Sequence, residues 1–392
     1  MREQLLNRNI KLLFIRAILG SLIFVAPVLV IFMQSRGLSF TQIMLLQSLF
    51  AIFGMVFEVP SGYFSDRLGR KVTILIGTIF LTIGATLFAL AHNFWVFFIM
   101  EITFGFGYAM LSGTISSLLY ETLLELKRQS EYTKLWGQLN FYSLMSVAFA
   151  SIVGGFIAKY SLDLTVYLVV VPFAISILVA TLLIEPKIHK KRKKQSIRED
   201  FKEVGGFLKS NIFITSIILF SAVVFMFNQS VFWLYQPYFK ASGIPLEYYG
   251  LIFASFQVVA AYASKYSHII LDKIGIKWLL IIIGLGSPIS IVLMGLNMQI
   301  WGFLFIYAQQ VTRSFKMVVV SKILHDSVES HYRATVDSIA NFIAKIGFAA
   351  TLPVIGYFLD FNSLSVVLIW LGAIGVLVIG ATIYITLKKG RY

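Results

Sequence analysis

Asp66-Arg67-Leu68-Gly69-Arg70-Lys71 returns, about half the chain later, as Asp272-Lys273-Ile274-Gly275-Ile276-Lys277. Both copies are short, charged and flanked by long apolar runs, so each reads as a tight turn between two membrane helices. A looser echo lies at nearly the same offset, Ser151-Ile152-Val153-Gly154-Gly155 against Pro353-Val354-Ile355-Gly356-Tyr357. Paired motifs at one offset predict a duplicated chain whose halves are structural equivalents. Internal symmetry of this kind marks secondary transporters, in which two bundles rock about a site near the bilayer middle.

The composition requires lipid as solvent. Of 392 residues, 58% are hydrophobic and 13% charged, where soluble domains hold about 45–50% and about 25%. At roughly 20 apolar residues per crossing the chain divides into about twelve runs. Their centres lie near Phe24, Phe53, Leu81, Phe106, Val147, Leu168, Val223, Phe256, Ile283, Ile306, Phe348 and Ala373. The expected fold class is an all-α membrane protein, with about twelve transmembrane helices in two pseudo-symmetric six-helix bundles. The bundles are expected over residues 1–184 and 211–392, with a polar cytoplasmic linker over 185–210. Within that linker, Ile197 to Leu208 alternates charged and apolar residues at helical spacing, which predicts an amphipathic helix on the inner membrane surface. The first apolar run is span-length and no small-residue cleavage site follows it, so it is expected to persist as the first helix. Cysteine is absent, which excludes disulfides, thiolate metal sites and cysteine nucleophiles.

The net charge is +15, and its distribution decides what it means. With both termini in the cytoplasm, the outer loops hold Arg36, Lys159 and Lys240, while Arg67, Arg70, Lys71, Lys127, Arg128 and the cluster Lys187, Lys190, Lys191, Arg192, Lys193 and Lys194 lie inside. Such a bias sets topology and contacts lipid headgroups; nucleic acid is not an expected partner. The chain is therefore expected in the cytoplasmic membrane as a multi-pass monomer.

The segment Gly62-Tyr63-Phe64-Ser65-Asp66-Arg67-Leu68-Gly69-Arg70-Lys71 resembles the signature loop between the second and third helices of the major facilitator superfamily. The half-repeat at Asp272 and Gly275 and the central basic linker extend the resemblance over essentially the whole chain. Phe57-Glu58-Val59-Pro60-Ser61-Gly62 is similar to a variant common among bacterial efflux-like members; Ser112-Gly113-Thr114, Tyr120-Glu121 and Arg333-Ala334-Thr335 fit that branch more loosely. The resemblance implies a conformational gate in which the Asp66 and Arg70 positions help hold the bundles together on the cytoplasmic side in one state. On physical grounds alone, Gly62 and Gly69 permit a sharp turn. Asp66 can cap a helix start, and Arg70 can pair with it or with another acid; a plain anchoring turn is the alternative. The chain departs from proton-driven drug antiporters at two places. Ala150-Ser151 precedes Gly154-Gly155 where they carry Gly-Pro, and Glu101 stands four residues before Gly105 where they carry arginine.

A charge at the bilayer centre costs at least roughly 2.5–3.5 kcal/mol, so each one needs a partner, water or a function. Arg16 and Glu58 lie at similar depth, about 9 Å from the inner ends of their helices. Either the two pair across adjacent helices or Glu58 serves as a protonation switch. Glu101, Gly105, Tyr108 and Ser112 share one helix face, and the resemblance sets that helix against the cavity. Glu101 is thus a proton or cation site, or else a hydrogen-bonded structural acid. Gln309, Arg313 and Lys316 fall at i, i+4 and i+7; Arg313 is a candidate for a substrate carboxylate, and Lys316 shares that role or snorkels inward. Lys345 sits deep in the eleventh run as a partner for an acid. Asn228, Gln229, Trp233, Tyr235 and Gln236 suit an amphipathic solute, or an interfacial belt. Mid-span cations outnumber carboxylates, which favours anionic or zwitterionic cargo.

Neither a nucleotide-cradling loop, nor a metal-ligand cluster, nor a polar catalytic domain is visible, so neither an enzyme nor a cofactor is expected. The expectation is a secondary transporter whose partners are a small-molecule substrate, protons and the bilayer. Proton-coupled export of a small organic or amphipathic solute leads; proton-coupled uptake of an anionic metabolite and lipid flipping on the same fold remain open.

Overall fold

The computed structural model describes residues 1–187, 208, 211–328 and 333–389. The expected amphipathic helix over 197–208 and the cations Lys190 to Lys194 lie, apart from Leu208, outside them. Every regular element described is helical: α1 (Arg2–Leu19), α2 (Leu29–Ser35), α3 (Phe40–Leu68), α4 (Arg70–Ala89), α5 (Phe94–Leu111), α6 (Thr114–Glu125), α7 (Tyr132–Ala158), α8 (Leu162–Thr181), α9 (Ile212–Phe232), α10 (Tyr235–Ala241), α11 (Glu247–Leu296), α12 (Phe305–Ser327), α13 (Arg333–Phe361) and α14 (Leu364–Lys389).

Among the described residues, 9 helices are long and apolar enough to cross a membrane, fewer than the apolar runs counted in the sequence. Local chemistry accounts for the difference. The run centred on Phe24 is not one helix: α1 stops at Leu19, Gly20 to Val25 turn without helical repeat, and α2 resumes after a short 3-10 turn containing Pro27. The runs centred on Phe256 and Ile283 both fall in α11, whose 50 residues are interrupted at Gly275 by φ 76 and ψ 164. Arg313, Lys316 and Lys322 lower the hydropathy of α12 below that of a lipid-facing span.

The helices form two compact units. The first comprises Met1–Leu38, Leu46–Arg192 and Leu246–Ala254; the second comprises Ser39–Leu45, Lys193–Pro245 and Ser255–Tyr392. In the first, α1 packs on α7 and α8, and α4 on α5 and α8. In the second, α9 packs on α13 and α14 as α1 does on α7 and α8, and also on α12. The packing partners of α9 in the second unit thus parallel those of α1 in the first.

Each unit also takes in the start of one helix from the other half of the sequence. The start of α11 lies against α7 in the first unit, where a Cβ added to Gly155 would stand 2.8 Å from the backbone nitrogen of Gly250. Only glycine lets backbones meet so closely. Lys159 closes this contact with an ion pair to Glu247 at 3.0 Å. The start of α3 lies against α13 in the second unit. There the Asp360 carboxylate accepts the N–H groups of Phe40 and Thr41 at 2.8 and 3.0 Å and the Thr41 hydroxyl at 2.6 Å. Those N–H groups belong to the first turn and have no partner within the helix, so Asp360 acts as a cap supplied from far along the chain.

Candidate functional site

In the first unit a buried polar contact forms where α3 and α5 meet. Helix α5 begins at Asn93, whose side chain accepts the Trp95 and Val96 N–H groups, and ends at Ser112, where the backbone turns extended before Gly113 at φ 73. Between those stops the 3.6-residue period aligns Glu101, Gly105, Tyr108 and Ser112, as expected. Glu101 is 4% exposed and Tyr108 38%, so the stripe opens from the acid toward the tyrosine. The Gln47 amide of α3 donates to Glu101 Oε1 at 3.1 Å.

Arg16 of α1 is a further buried charge of the first unit. It is 7% exposed, and among the described residues its Nε has no hydrogen-bond partner. The expected Arg16–Glu58 pair does not form. Arg16 projects from the same buried face of α1 as Leu13 and Ala17, whereas Glu58 stands on an exposed face of α3. Equal depth does not bring together two groups that point in different directions around their helices.

The second unit holds a different kind of polar core. The Tyr235 hydroxyl donates to Gln309 Oε1 at 2.7 Å and accepts from Gln310 Nε2 at 3.3 Å, while Gln309 Nε2 donates to Ser290 Oγ at 3.1 Å. Asn228 Oδ1 accepts the Ser287 hydroxyl at 2.5 Å, and among the described residues its Nδ2 has no partner. The face read as Gln309, Arg313 and Lys316 therefore divides into separate tasks. Gln309 is locked in the network, and Arg313 is half-buried on α12. Lys316 reaches the Ser221 carbonyl at 3.3 Å and covers the Phe225 ring at 5.3 Å. Gln229 and Lys345 are half-buried on α9 and α13.

The charged turn of the first unit is held on three sides. Gly69 has φ 92 and ψ 160, a region open in practice only to glycine. The Glu185 carboxylate accepts the Arg70 and Lys71 N–H groups, each at 2.7 Å, and caps α4. The Arg70 side chain donates to Glu121 at 3.1 Å and to Ser65 Oγ at 2.6 Å, and pairs with Asp66 at 2.9 Å. Arg67 bonds the Tyr63 hydroxyl at 2.6 Å, and Gly62 is exposed. In the second copy Gly275 repeats the turn, while Asp272 is exposed.

Sequence reasoning missed Gln47 and Glu185. Gln47 is a lone amide within the run from Met44 to Phe53, which is a signal for a buried hydrogen bond. Glu185 was absorbed into the polar linker, although it is the first acid after the sixth run.

The sequence matches the Major Facilitator Superfamily over residues 12–238. Quinolone resistance protein NorA of Staphylococcus aureus (strain Mu50 / ATCC 700699) is 25% identical over 212 residues, 53% of this chain and 52% of its own length. An uncharacterized transporter of Buchnera aphidicola is 24% identical over 305 residues, 74% of each chain. The chain thus spans about half the length of the NorA relatives it matches. Among solved structures, a variant of the nucleoside transporter NupG aligns with TM-score 0.80 at 16% identity, over 97% of this chain and 99% of its own. A variant of the peptide transporter POT aligns with TM-score 0.73 at 12% identity, over 98% and 95%. At these identities the structural likeness is one of fold.

Proposed function

This chain belongs to the Major Facilitator Superfamily, and on that premise we propose that it exports a small organic or amphipathic solute across the cytoplasmic membrane in exchange for protons. The family and fold are those of multi-pass membrane transporters rather than of enzymes. In this reading two six-helix bundles, residues 1–184 and 211–392, alternate access to either side. Residues 185–210 link them, both termini are cytoplasmic and the protein acts as a monomer. The turn from Gly62 to Lys71, with its copy at Asp272 and Gly275, serves as the conformational gate.

The observation that carries this reading is Glu101, a carboxyl 4% exposed inside an apolar helix and held by the amide of Gln47. An intramembrane acid is costly enough that its retention argues for a task. A proton removes its charge, and a cationic group on the cargo can take the proton's place, which is the exchange an exporter requires. The likeness to a quinolone resistance protein supports the outward direction. Purified protein in liposomes, loaded with a piperazinyl quinolone and given an imposed pH gradient, tests it. Glu101→Gln and Glu58→Gln are each expected to reduce flux toward the rate seen without a gradient. Normal gradient-driven flux in both variants removes the proton-coupling assignment. Buried Arg16, whose Nε has no hydrogen-bond partner among the described residues, favours uptake of an anionic metabolite as the second reading, and gradient-driven flux in the opposite direction would select it.

A further inference from the structure

Near the start of α1, acids answer some of the cations and leave others alone. Arg2 pairs with Glu125, and Arg128, which also bonds Asn7 of α1, pairs with Glu131 at 2.6 Å. Arg8 and Lys11 have no acid partner among the described residues, and both are exposed. They stand three residues apart on one face of the helix, Lys11 about 4.5 Å further along the axis. That face continues to Ile15, about 6 Å further again and 45% exposed. Beside Arg8 lies the end of α8: Arg8 Nη2 donates to the Leu182 carbonyl at 3.0 Å, which occupies one of its five N–H donors, and α1 packs on α8. Back along α8, Leu178 and Ile175 share a face with Leu182, and all three side chains are exposed. Charge at the helix ends, with open apolar surface further along both helices, is the pattern that an amphiphile carries in its own two parts.

We infer that this patch is a binding site for an anionic phospholipid, its phosphate held by the Arg8 guanidinium and the Lys11 ammonium and an acyl chain laid along Ile15, Leu178 and Ile175. The occupant follows from charge and from order along the helix axes. A phosphate accepts several charge-assisted hydrogen bonds, and the remaining donors of both side chains supply them. The apolar residues lie beyond the cations from the helix ends, in the direction that acyl chains run from a headgroup toward the bilayer centre. A soluble anion would leave the apolar strip uncovered, and a zwitterionic lipid would bring a cation of its own beside Arg8 and Lys11. The site is separate from the cargo and coupling residues proposed above; the cytoplasmic termini proposed there set only which leaflet supplies the lipid.

Native mass spectrometry of the purified, detergent-solubilised full chain tests the inference without reference to flux. Dioleoyl phosphatidylglycerol and dioleoyl phosphatidylcholine, which share their acyl chains, are titrated separately and the bound lipid is counted. Each cation beside an anionic headgroup is worth about fivefold in affinity, so the first phosphatidylglycerol is expected to bind about thirtyfold tighter than phosphatidylcholine. Lys11 makes no hydrogen bond or ion pair among the described residues, so Lys11→Gln leaves the packing alone and should weaken the binding of phosphatidylglycerol about fivefold. Arg8→Gln combined with Lys11→Gln should bring it to the level of phosphatidylcholine. Arg8→Lys keeps the charge and should retain most of the preference. Lys388→Gln combined with Lys389→Gln removes the same charge from the end of α14 and should change nothing. Equal binding of the two lipids, no loss in Lys11→Gln, or equal loss in the two double variants overturns the inference. So does displacement of the lipid by glycerol phosphate at matching concentration, which would make the patch a site for soluble anions.

Discussion

Gly69 and Gly275 carry nearly the same backbone, φ 92 with ψ 160 and φ 76 with ψ 164, in surroundings that differ completely. A Cβ on Gly69 would stand 2.9 Å from the carboxyl of Glu185, whereas one on Gly275 would meet nothing within 4 Å among the described residues. The next residue separates the copies further. Arg70 is the centre of the network with Glu121, Ser65 and Asp66, and Ile276 occupies the corresponding place in the second copy. The shared glycine is what the turn requires sterically; the residue after it is where the halves have specialised. One turn is a clamped junction of helices, while the other has the same shape with no such clamp among the described residues.

The strongest way to break this contrast is Arg70→Ile, which gives the first turn the residue of the second. It takes the Arg70 guanidinium away from Glu121, whose side chain is 10% exposed. Loss of one partner from a largely buried pair costs on the order of 3 kcal/mol, read as a lower denaturation midpoint in detergent. Were Arg70→Ile as stable as the parent, the network would be incidental and the two turns equivalent. A smaller effect separates the glycines. Alanine at either position meets a strain of about 1–3 kcal/mol, but Gly69→Ala also pushes Glu185 off the start of α4. Gly69→Ala should therefore exceed Gly275→Ala by about 1 kcal/mol, the usual worth of a helix cap. Equal losses would mean that Glu185 contributes nothing to the junction.

What could be read from the chain beforehand follows the range of the interaction responsible. The glycine turns were legible because φ and ψ at Gly69 and Gly275 depend on their own residues. The Glu101–Tyr108 stripe was legible because a helical period fixes faces within one element. Helix breaks were less so: Gly20 to Val25 contain no proline, and Pro27 falls only in the turn that follows. Long-range partners were not legible at all. Glu185 meets Arg70 across 115 positions, and Asp360 meets Phe40 across 320. The Arg16–Glu58 expectation failed for a related reason. Hydropathy reports depth along a helix axis, but which way a side chain faces depends on the packing of α1 against α7 and α8.

The weakest effect is the one the motif itself would rank highest. Asp66 pairs with Arg70 at 2.9 Å, but its side chain is 63% exposed, whereas that of Glu121 is 10% exposed. Water and salt screen the outer pair, so Asp66→Asn should alter stability by no more than roughly 0.5 kcal/mol. If the turn is the proposed conformational gate and the carboxylate matters in only one state, Asp66→Asn changes transport rate while the denaturation midpoint stays put. The comparison with Asp272→Asn, in a turn that has isoleucine where Arg70 stands, sharpens the point. Stability should be unmoved in both variants, and transport should fall in the first alone. A destabilised Asp66→Asn would show instead that the exposed acid is part of the clamp, and that the first turn draws on Asp66 as much as on Glu121.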